Sequence, residues 1–205
     1  MNRQVSIALV VLGWLVSALL FERLPERMAT HFDLGGSPDR WDPKWVGAFI
    51  LPVLMLLTLG IARWAPRVLA EQPHDEALES LREMVLTAIL AFFGLMHLGI
   101  LGTALGWSIS MPELLPLGLG GLFLLFGHVL PRLRRGWLIG IRTRATMSSD
   151  AAWERTHRVT GAIMTAGGTV MIGAGLFAVT EPMSIVIAAA IGAALATAGY
   201  LYAVR

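Results

Sequence analysis

The chain has 205 residues, 56% of them hydrophobic and 15% charged, with a formal net charge of +2 and no cysteine; its mean hydropathy is +0.68. A soluble domain carries about 25% charged residues, so this composition excludes an ordinary water-soluble fold and places the apolar excess in a lipid bilayer. The missing cysteines exclude disulfides, thiolate metal sites and cysteine nucleophiles. The pI near 9.7 does not indicate a nucleic-acid binder, because the arginines sit at the ends of apolar runs, as the positive-inside bias requires.

Six apolar segments, at about 5–21, 45–63, 84–106, 112–131, 159–179 and 183–203, are long enough to span the hydrocarbon. The expectation is an all-α, polytopic bundle of six transmembrane helices forming a single membrane domain over residues 1–205. Met1-Asn2-Arg3 ahead of the run from Val5 to Phe21 looks like the start of a signal peptide. However, Glu22-Arg23-Leu24-Pro25 offers no small-x-small cleavage site, so an uncleaved first helix is expected. The first connection holds only Arg23, Arg27, Arg40 and Lys44, and the third and fifth hold no basic residue. The other twelve of the sixteen basic residues lie on the opposite side. This asymmetry predicts a cytoplasmic N-terminus and C-terminus. Trp41, Trp45 and Trp107 then mark the outer interface, and Trp64 and Trp137 the inner one.

The first connection, 22–44, is read as an extracytoplasmic loop. Thr30 to Leu34 alternates as an extended chain, and Gly35-Gly36-Ser37-Pro38-Asp39 is a turn. His31 and Asp33 would project to one side of such a chain and, with Asp39 or Asp42, could hold a cation. The simpler reading is a hydrogen-bond cluster in which the carboxylates pair Arg27, Arg40 or Lys44. The second connection, about 64–83, carries Glu71, Asp75, Glu76, Glu79 and Glu83 and reads as a solvated helical extension of the third span.

Two histidines fall within spans, His97 and His128, and ionisable groups there are functional candidates. Counted along their helices they differ in depth by roughly 15 Å, so they cannot share a metal. His97 is expected to hydrogen-bond a neighbouring helix. His128 lies near the depth of His157, and the two are expected to cluster with arginines at the inner boundary.

The fourth connection, 132–158, is read as a cytoplasmic basic loop and amphipathic helix with seven arginines: Arg132, Arg134, Arg135, Arg142, Arg144, Arg155 and Arg158. Ser148-Ser149-Asp150 is a helix N-cap signal, and the helix from about 150 runs into the fifth span with Trp153 and His157 on one face. The arginines suit the phosphates of membrane lipids or a cytoplasmic partner. The fifth span carries Gly161, Gly167, Gly168, Gly173 and Gly175, and the sixth repeats Ala188, Gly192 and Ala196. Such small residues allow close helix approach, within the chain or in a homodimer through helices 5 and 6.

Phosphate-binding, dinucleotide, metalloprotease and esterase motifs are absent from the sequence, and no span carries Asp or Glu at its centre. No catalytic residue, metal or cofactor is expected.

The segment L-P-E-R-M-A-T-H-F-D-L-G-G-S-P-D from Leu24 resembles a segment of a bacterial membrane domain of unknown function. The segment G-I-R-T-R-A-T-M-S-S-D-A-A-W-E-R-T-H-R-V-T-G from Gly140 looks like the G-I-R-T-P-W-T-L-S-S-x-x-V-W-x-x-T-H-R-x-x-G signature of the SdpI family. Matching positions are Leu24, Pro25, His31, Phe32, Gly36 and Asp39 in the first segment. In the second they are Gly140, Ile141, Arg142, Thr143, Ser148, Ser149, Trp153, Thr156, His157, Arg158 and Gly161. Arg144-Ala145 stands where the family commonly has Pro-Trp, and Gly127-His128 where it commonly has Gly-Asn. The resemblance implies a multi-pass protein of the bacterial cytoplasmic (inner) membrane. The family's namesake confers immunity to a secreted killing peptide and sequesters a transcriptional repressor at the membrane. The implied function is therefore toxin immunity and signal transduction, with a secreted peptide toxin outside and a cytoplasmic regulator inside. The expected binding residues are His31, Asp33 and Asp39 outside and Arg142, Thr143, Trp153, His157 and Arg158 inside, with His97 and His128 as intramembrane polar groups. The alternatives are a small-molecule or ion transporter or channel, and a membrane enzyme with a His-based metal site.

Overall fold

Along the first helix small and polar residues turn inward and large apolar ones outward. In the first helix Ser6, Val10, Gly13 and Ser17 are buried along one stripe, while Val11, Leu12, Leu15 and Leu19 are exposed. That is the arrangement of a helix solvated by lipid, where close approach rather than hydrophobic exclusion selects the contact face.

The computed structural model describes residues 3–33, 37–68, 75–135, 139–177 and 182–203. It contains α1 (Arg3–Leu20), a hairpin of β1 (Arg27–Phe32) and β2 (Pro38–Pro43), α2 (Lys44–Val68), α3 (Glu76–Ala104), α4 (Met111–Val129), α5 (Asp150–Leu176) and α6 (Pro182–Ala203). All six helices are long and apolar enough to cross a membrane, and the protein is a multi-pass membrane protein. The Gly35-Gly36 turn, Glu71 and Trp137 lie outside the described residues.

Neighbouring helices are antiparallel. Ser17 of α1 reaches Ala48 of α2, and Arg63 of α2 reaches Glu83 of α3. Phe92 of α3 lies against Gly118 of α4. The tightest seam joins α4 to α5. A Cβ added at Gly127 would lie 2.8 Å from the Gly161 carbonyl oxygen, and one added at Gly168 would lie 2.7 Å from the Gly120 carbonyl oxygen. At the far end, Gly175 meets the Glu113 carbonyl. These glycines of the fifth span therefore serve packing within the chain. On α6, Ala188, Gly192 and Ala196 are exposed.

Trp41, Trp45 and Trp107 are exposed at the hairpin face and Trp64 at the opposite face, as interfacial aromatics should be. Two elements depart from the boundaries expected from sequence. The first connection is a β-hairpin whose first strand ends at Phe32, so Asp33 lies beyond it. Helix α3 begins at Glu76, ahead of the apolar segment, as the expected helical extension of the third span: the Asp75 carboxylate caps it by accepting from the Ala77 and Leu78 N–H groups at 2.9 and 3.2 Å. Helix α2 continues to Val68. The helix expected from about 150 does begin there, with the Ser149 hydroxyl capping the Ala152 N–H at 3.1 Å.

The seam supplies an internally controlled test. Gly127→Ala or Gly161→Ala forces backbone apart and should destabilise the bundle by about 1–3 kcal/mol. Gly173→Ala, with nothing within 4 Å of its added Cβ, should be neutral. Unfolding midpoints in detergent should separate the two classes.

Candidate functional site

Side chains able to recognise a ligand gather at the two ends of the bundle, with a polar core between them. At the first end, β1 and β2 pair antiparallel, Arg27 opposite Pro43 and Phe32 opposite Pro38, with irregular register around His31. The hairpin is pinned from below. Met28 is fully buried in a cluster with Leu24, Ala48, Ile100 and Leu101, and Gly47 leaves the space it occupies.

The hairpin's upper surface is polar. His31 Nδ1 lies 2.6 Å from Asp39 Oδ1, and both side chains are exposed. The Thr30 hydroxyl donates to Asp42, which also pairs Arg40 at 3.3 Å. Lys44 pairs Glu26 at 2.9 Å and lies 5.1 Å from the Phe21 ring centroid. Arg27 donates to the Trp41 carbonyl at 2.7 Å rather than to a carboxylate. Asp33 does not share a site with His31: its carboxylate accepts the Ser37 N–H at 2.8 Å and closes the turn. Among the described residues, no three His, Asp or Glu side chains are grouped to hold a metal.

The core between the ends holds two polar ties. The Ser17 hydroxyl donates to the Ala48 carbonyl at 2.6 Å and lies 2.9 Å from His97 Nε2, so α1, α2 and α3 meet at one point. His97 bonds a neighbouring helix as its position led us to expect, and with 1% exposure it lines no open path. Nearer the second end, Arg63 forms a two-pronged ion pair with Glu83, its Nη2 lying 3.0 Å from Oε2. The same Nη2 donates to the Ser6 hydroxyl at 2.9 Å. Glu83 is buried, so the expectation of a solvated extension fails at this residue.

At the second end, residues 133–135 and 139–158 close on themselves around Trp153 and His157. Trp153 is buried among Leu78, Leu81, Val129 and Leu133, and its indole N–H donates to the Leu133 carbonyl at 2.6 Å. The His157 ring stacks on it with centroids 4.1 Å apart. His157 Nε2 accepts the Ile141 N–H at 2.9 Å, and Nδ1 faces the Trp153 carbonyl at 2.9 Å. That pattern fixes the neutral ring with its proton on Nδ1. Gly140 lies over both rings at φ +129, and a Cβ there would meet His157 Nε2 and Trp153 Cη2 at 2.7 Å.

Thr146 is fully buried. Its hydroxyl donates to the Ile141 carbonyl at 2.7 Å and accepts the Thr143 N–H at 2.8 Å, while the Thr146 N–H returns to the Thr143 hydroxyl at 3.2 Å. Arg135 clamps the outside, reaching Asp150 at 2.6 Å and the Met147 carbonyl at 3.0 Å. Arg142 and Arg158 are exposed, with Arg158 Nη2 3.9 Å from Glu154. His128 is also exposed. His157 spends its ring nitrogens on Ile141 and Trp153, so the expected His128–His157 cluster does not form.

Sequence reading assigned no role to Ser6, Ser17, Arg63 or Thr146 and did not pair Glu83 with Arg63 or Arg135 with Asp150. For Arg63 and Glu83 a signal existed: opposite charges within a helical turn or two of the same end of consecutive spans.

The family description "SdpI/YfhL protein family" matches residues 132–201, and "Domain of unknown function (DUF1648)" matches residues 8–56. The chain is similar to "Immunity protein SdpI" of Bacillus subtilis (strain 168). Identity is 23% over 167 residues, covering 82% of this chain and 78% of that protein. It is also similar to "Uncharacterized membrane protein YbgB" of the same organism, at 31% over 67 residues, 33% of this chain and 69% of that protein. No solved structure matches.

Two outcomes are expected of these contacts. Thr146→Val strands the Thr143 N–H and the Ile141 carbonyl and should cost about 1–3 kcal/mol locally. Trypsin should then cut faster at exposed Arg142 and Arg144, with α1–α3 unaffected. Arg63→Met alone leaves a buried carboxylate and should cost about 3–5 kcal/mol, whereas Arg63→Met with Glu83→Leu should recover most of that loss. Thermal midpoints of the single and double variants test the pair.

Proposed function

The chain belongs to the SdpI/YfhL protein family, and from that membership we propose that it is an immunity protein of the bacterial inner membrane that also signals by recruiting a partner. The relative "Immunity protein SdpI" supplies the immunity role, which is not a catalytic one. In this reading the hairpin surface around His31 and Asp39 faces outward and engages a secreted antimicrobial peptide. The basic loop with Arg142, Thr143 and Arg158 faces the cytoplasm and presents a docking surface to a regulator. Trp153 and His157, being buried, act by holding that loop in shape.

One observation carries this reading: both ordered ends are keyed into the same helix. Ile100 and Leu101 of α3 share a cluster with Met28 of the hairpin, and Leu78 and Leu81 of α3 share one with Trp153. A helix rises 1.5 Å per residue, so these two contacts lie about 30 Å apart along one rod. Engagement of the hairpin would shift α3 and be felt at the basic loop. Coupling is a property of both ends together, and the experiment reads both.

Deletion should sensitise cells to a membrane-active peptide toxin, and His31→Ala with Asp39→Asn should reproduce the loss while the protein still reaches the membrane. Met28→Ala, which loosens the hairpin from α3, should spare peptide binding to the purified protein but abolish the peptide-dependent change in tryptic protection of the basic loop. Unchanged sensitivity of the deletion across a panel of such peptides defeats the immunity reading. Protection changes that survive Met28→Ala defeat the α3 route.

A further inference from the structure

The start of α5 and the end of α6 enclose a cleft of about 1090 Å³ that shares only Thr143 with the docking surface of the immunity reading. Its polar lining is Thr143, Arg144, Ser148, Arg155, Thr156 and Tyr200. Two arginines and four hydroxyls thus face one space, and among the described residues no carboxylate lines it. Among the described residues, neither Arg144 nor Arg155 has an ion-pair partner. The cleft also takes in Ala151 and Ala152 of the first turn of α5. There the N–H groups not used by the Ser149 cap add partial positive charge.

A helix N-terminus alone is no site, but Thr156 points independently to a ligand. It is 2% exposed, it lines the cleft, and it has no hydrogen-bond partner among the described residues. Thr156 is almost wholly buried at the wall of the cleft, and its hydroxyl is left to bond what the cleft takes up.

We propose that this cleft is a phosphate-binding site that takes the headgroup of an anionic phospholipid. The two guanidinium groups and the α5 N-terminus match the oxyanion, and the hydroxyls of Thr156 and Ser148 complete its hydrogen bonding. The wall formed by Ala198 and Leu201 belongs to a membrane-crossing helix and gives the lipid's glycerol and upper acyl carbons an apolar surface. Position decides between lipid and cytoplasmic macromolecule, since the cleft lies where two membrane helices reach the basic face. The site stands apart from the immunity reading and is tested by binding alone.

The experiment is native mass spectrometry of the delipidated full chain in detergent, titrated with phosphatidylglycerol, phosphatidylcholine or inorganic phosphate. Phosphatidylglycerol should bind about tenfold or more tightly than phosphatidylcholine. The Arg144→Gln, Arg155→Gln double variant should lose at least about tenfold, as expected for two charge-assisted contacts. Thr156→Val should lose a few-fold at an unchanged unfolding midpoint, and Arg132→Gln, outside the cleft, should bind like the parent. Inorganic phosphate binding as tightly as the lipid, and lost in the double variant, keeps the phosphate site and overturns its lipid source. Equal binding of the two lipids, or an equal loss in Arg132→Gln, overturns the site itself.

Discussion

The backbone-to-backbone seam between α4 and α5 sets the position of everything at the basic face. Lipid chains solvate apolar side chains as well as other helices do, so helix pairing in a bilayer rests on dispersion at close range and on polar contacts. Glycines 120 and 127 on α4 meet glycines 168 and 161 on α5, with Cα atoms against carbonyls. The register is therefore fixed by shape. Once it is fixed, Pro131 lies on Gly161, and the Leu133 carbonyl comes to the Trp153 indole. The remainder of the loop then folds back over the Trp153–His157 stack. A wider seam would withdraw Leu133 from the indole and open the loop at its root.

The first three helices are joined by a different device. Polar groups inside the bundle have no water to fall back on, so a bond across a helix boundary holds the helices strongly there. Ser17 meets both Ala48 and His97, and Arg63 spans Glu83 and Ser6. Each tie connects three helices at one depth. Apolar side chains can slide along one another at small cost, whereas these bonds hold at one register only. The arrangement of α1, α2 and α3 is in this way specified by few residues, and most of the remaining surface of α1 and α2 is free to face lipid.

The six helices were legible because length and unbroken apolar character suffice to identify a span. The Ser149 cap and the Trp153–His157 face were legible because both are local, set by helical spacing. What failed was non-local. Glu83 sits beside Arg82 and Glu79, so its own surroundings read as a solvated face; only the approach of α2 brings Arg63 onto it. His128 follows Gly127, and Gly127 must face α5, so a single helical step of about 100° turns His128 outward, away from His157. Asp33 and His31 have the spacing of strand neighbours, but the strand ends between them and the irregular register turns His31 toward Asp39 instead. Thr146 was hidden by its type, since a threonine in a polar loop reads as solvent-facing until the chain closes around it.

Helix α3 is the element to which both ends refer, and its construction suits a connector more than a wall. Close to the hairpin, Gly99 and Gly102 admit Leu114, Met111 and Ile109 against its backbone. At mid-depth His97 is bonded to Ser17, and lower down Glu83 is held by Arg63. Its first turn is capped by Asp75, which also pairs Arg134 of the basic loop at 3.3 Å. A helix tied at so many levels cannot absorb a displacement by local bending, because packed interiors shift between discrete arrangements rather than deforming continuously. A load applied at Met28 would therefore be taken up either by the hairpin letting go or by α3 moving as a unit against Trp153. In the proposed signalling role, only the second would reach the basic face. The full burial of Met28 against Gly47 favours the second outcome.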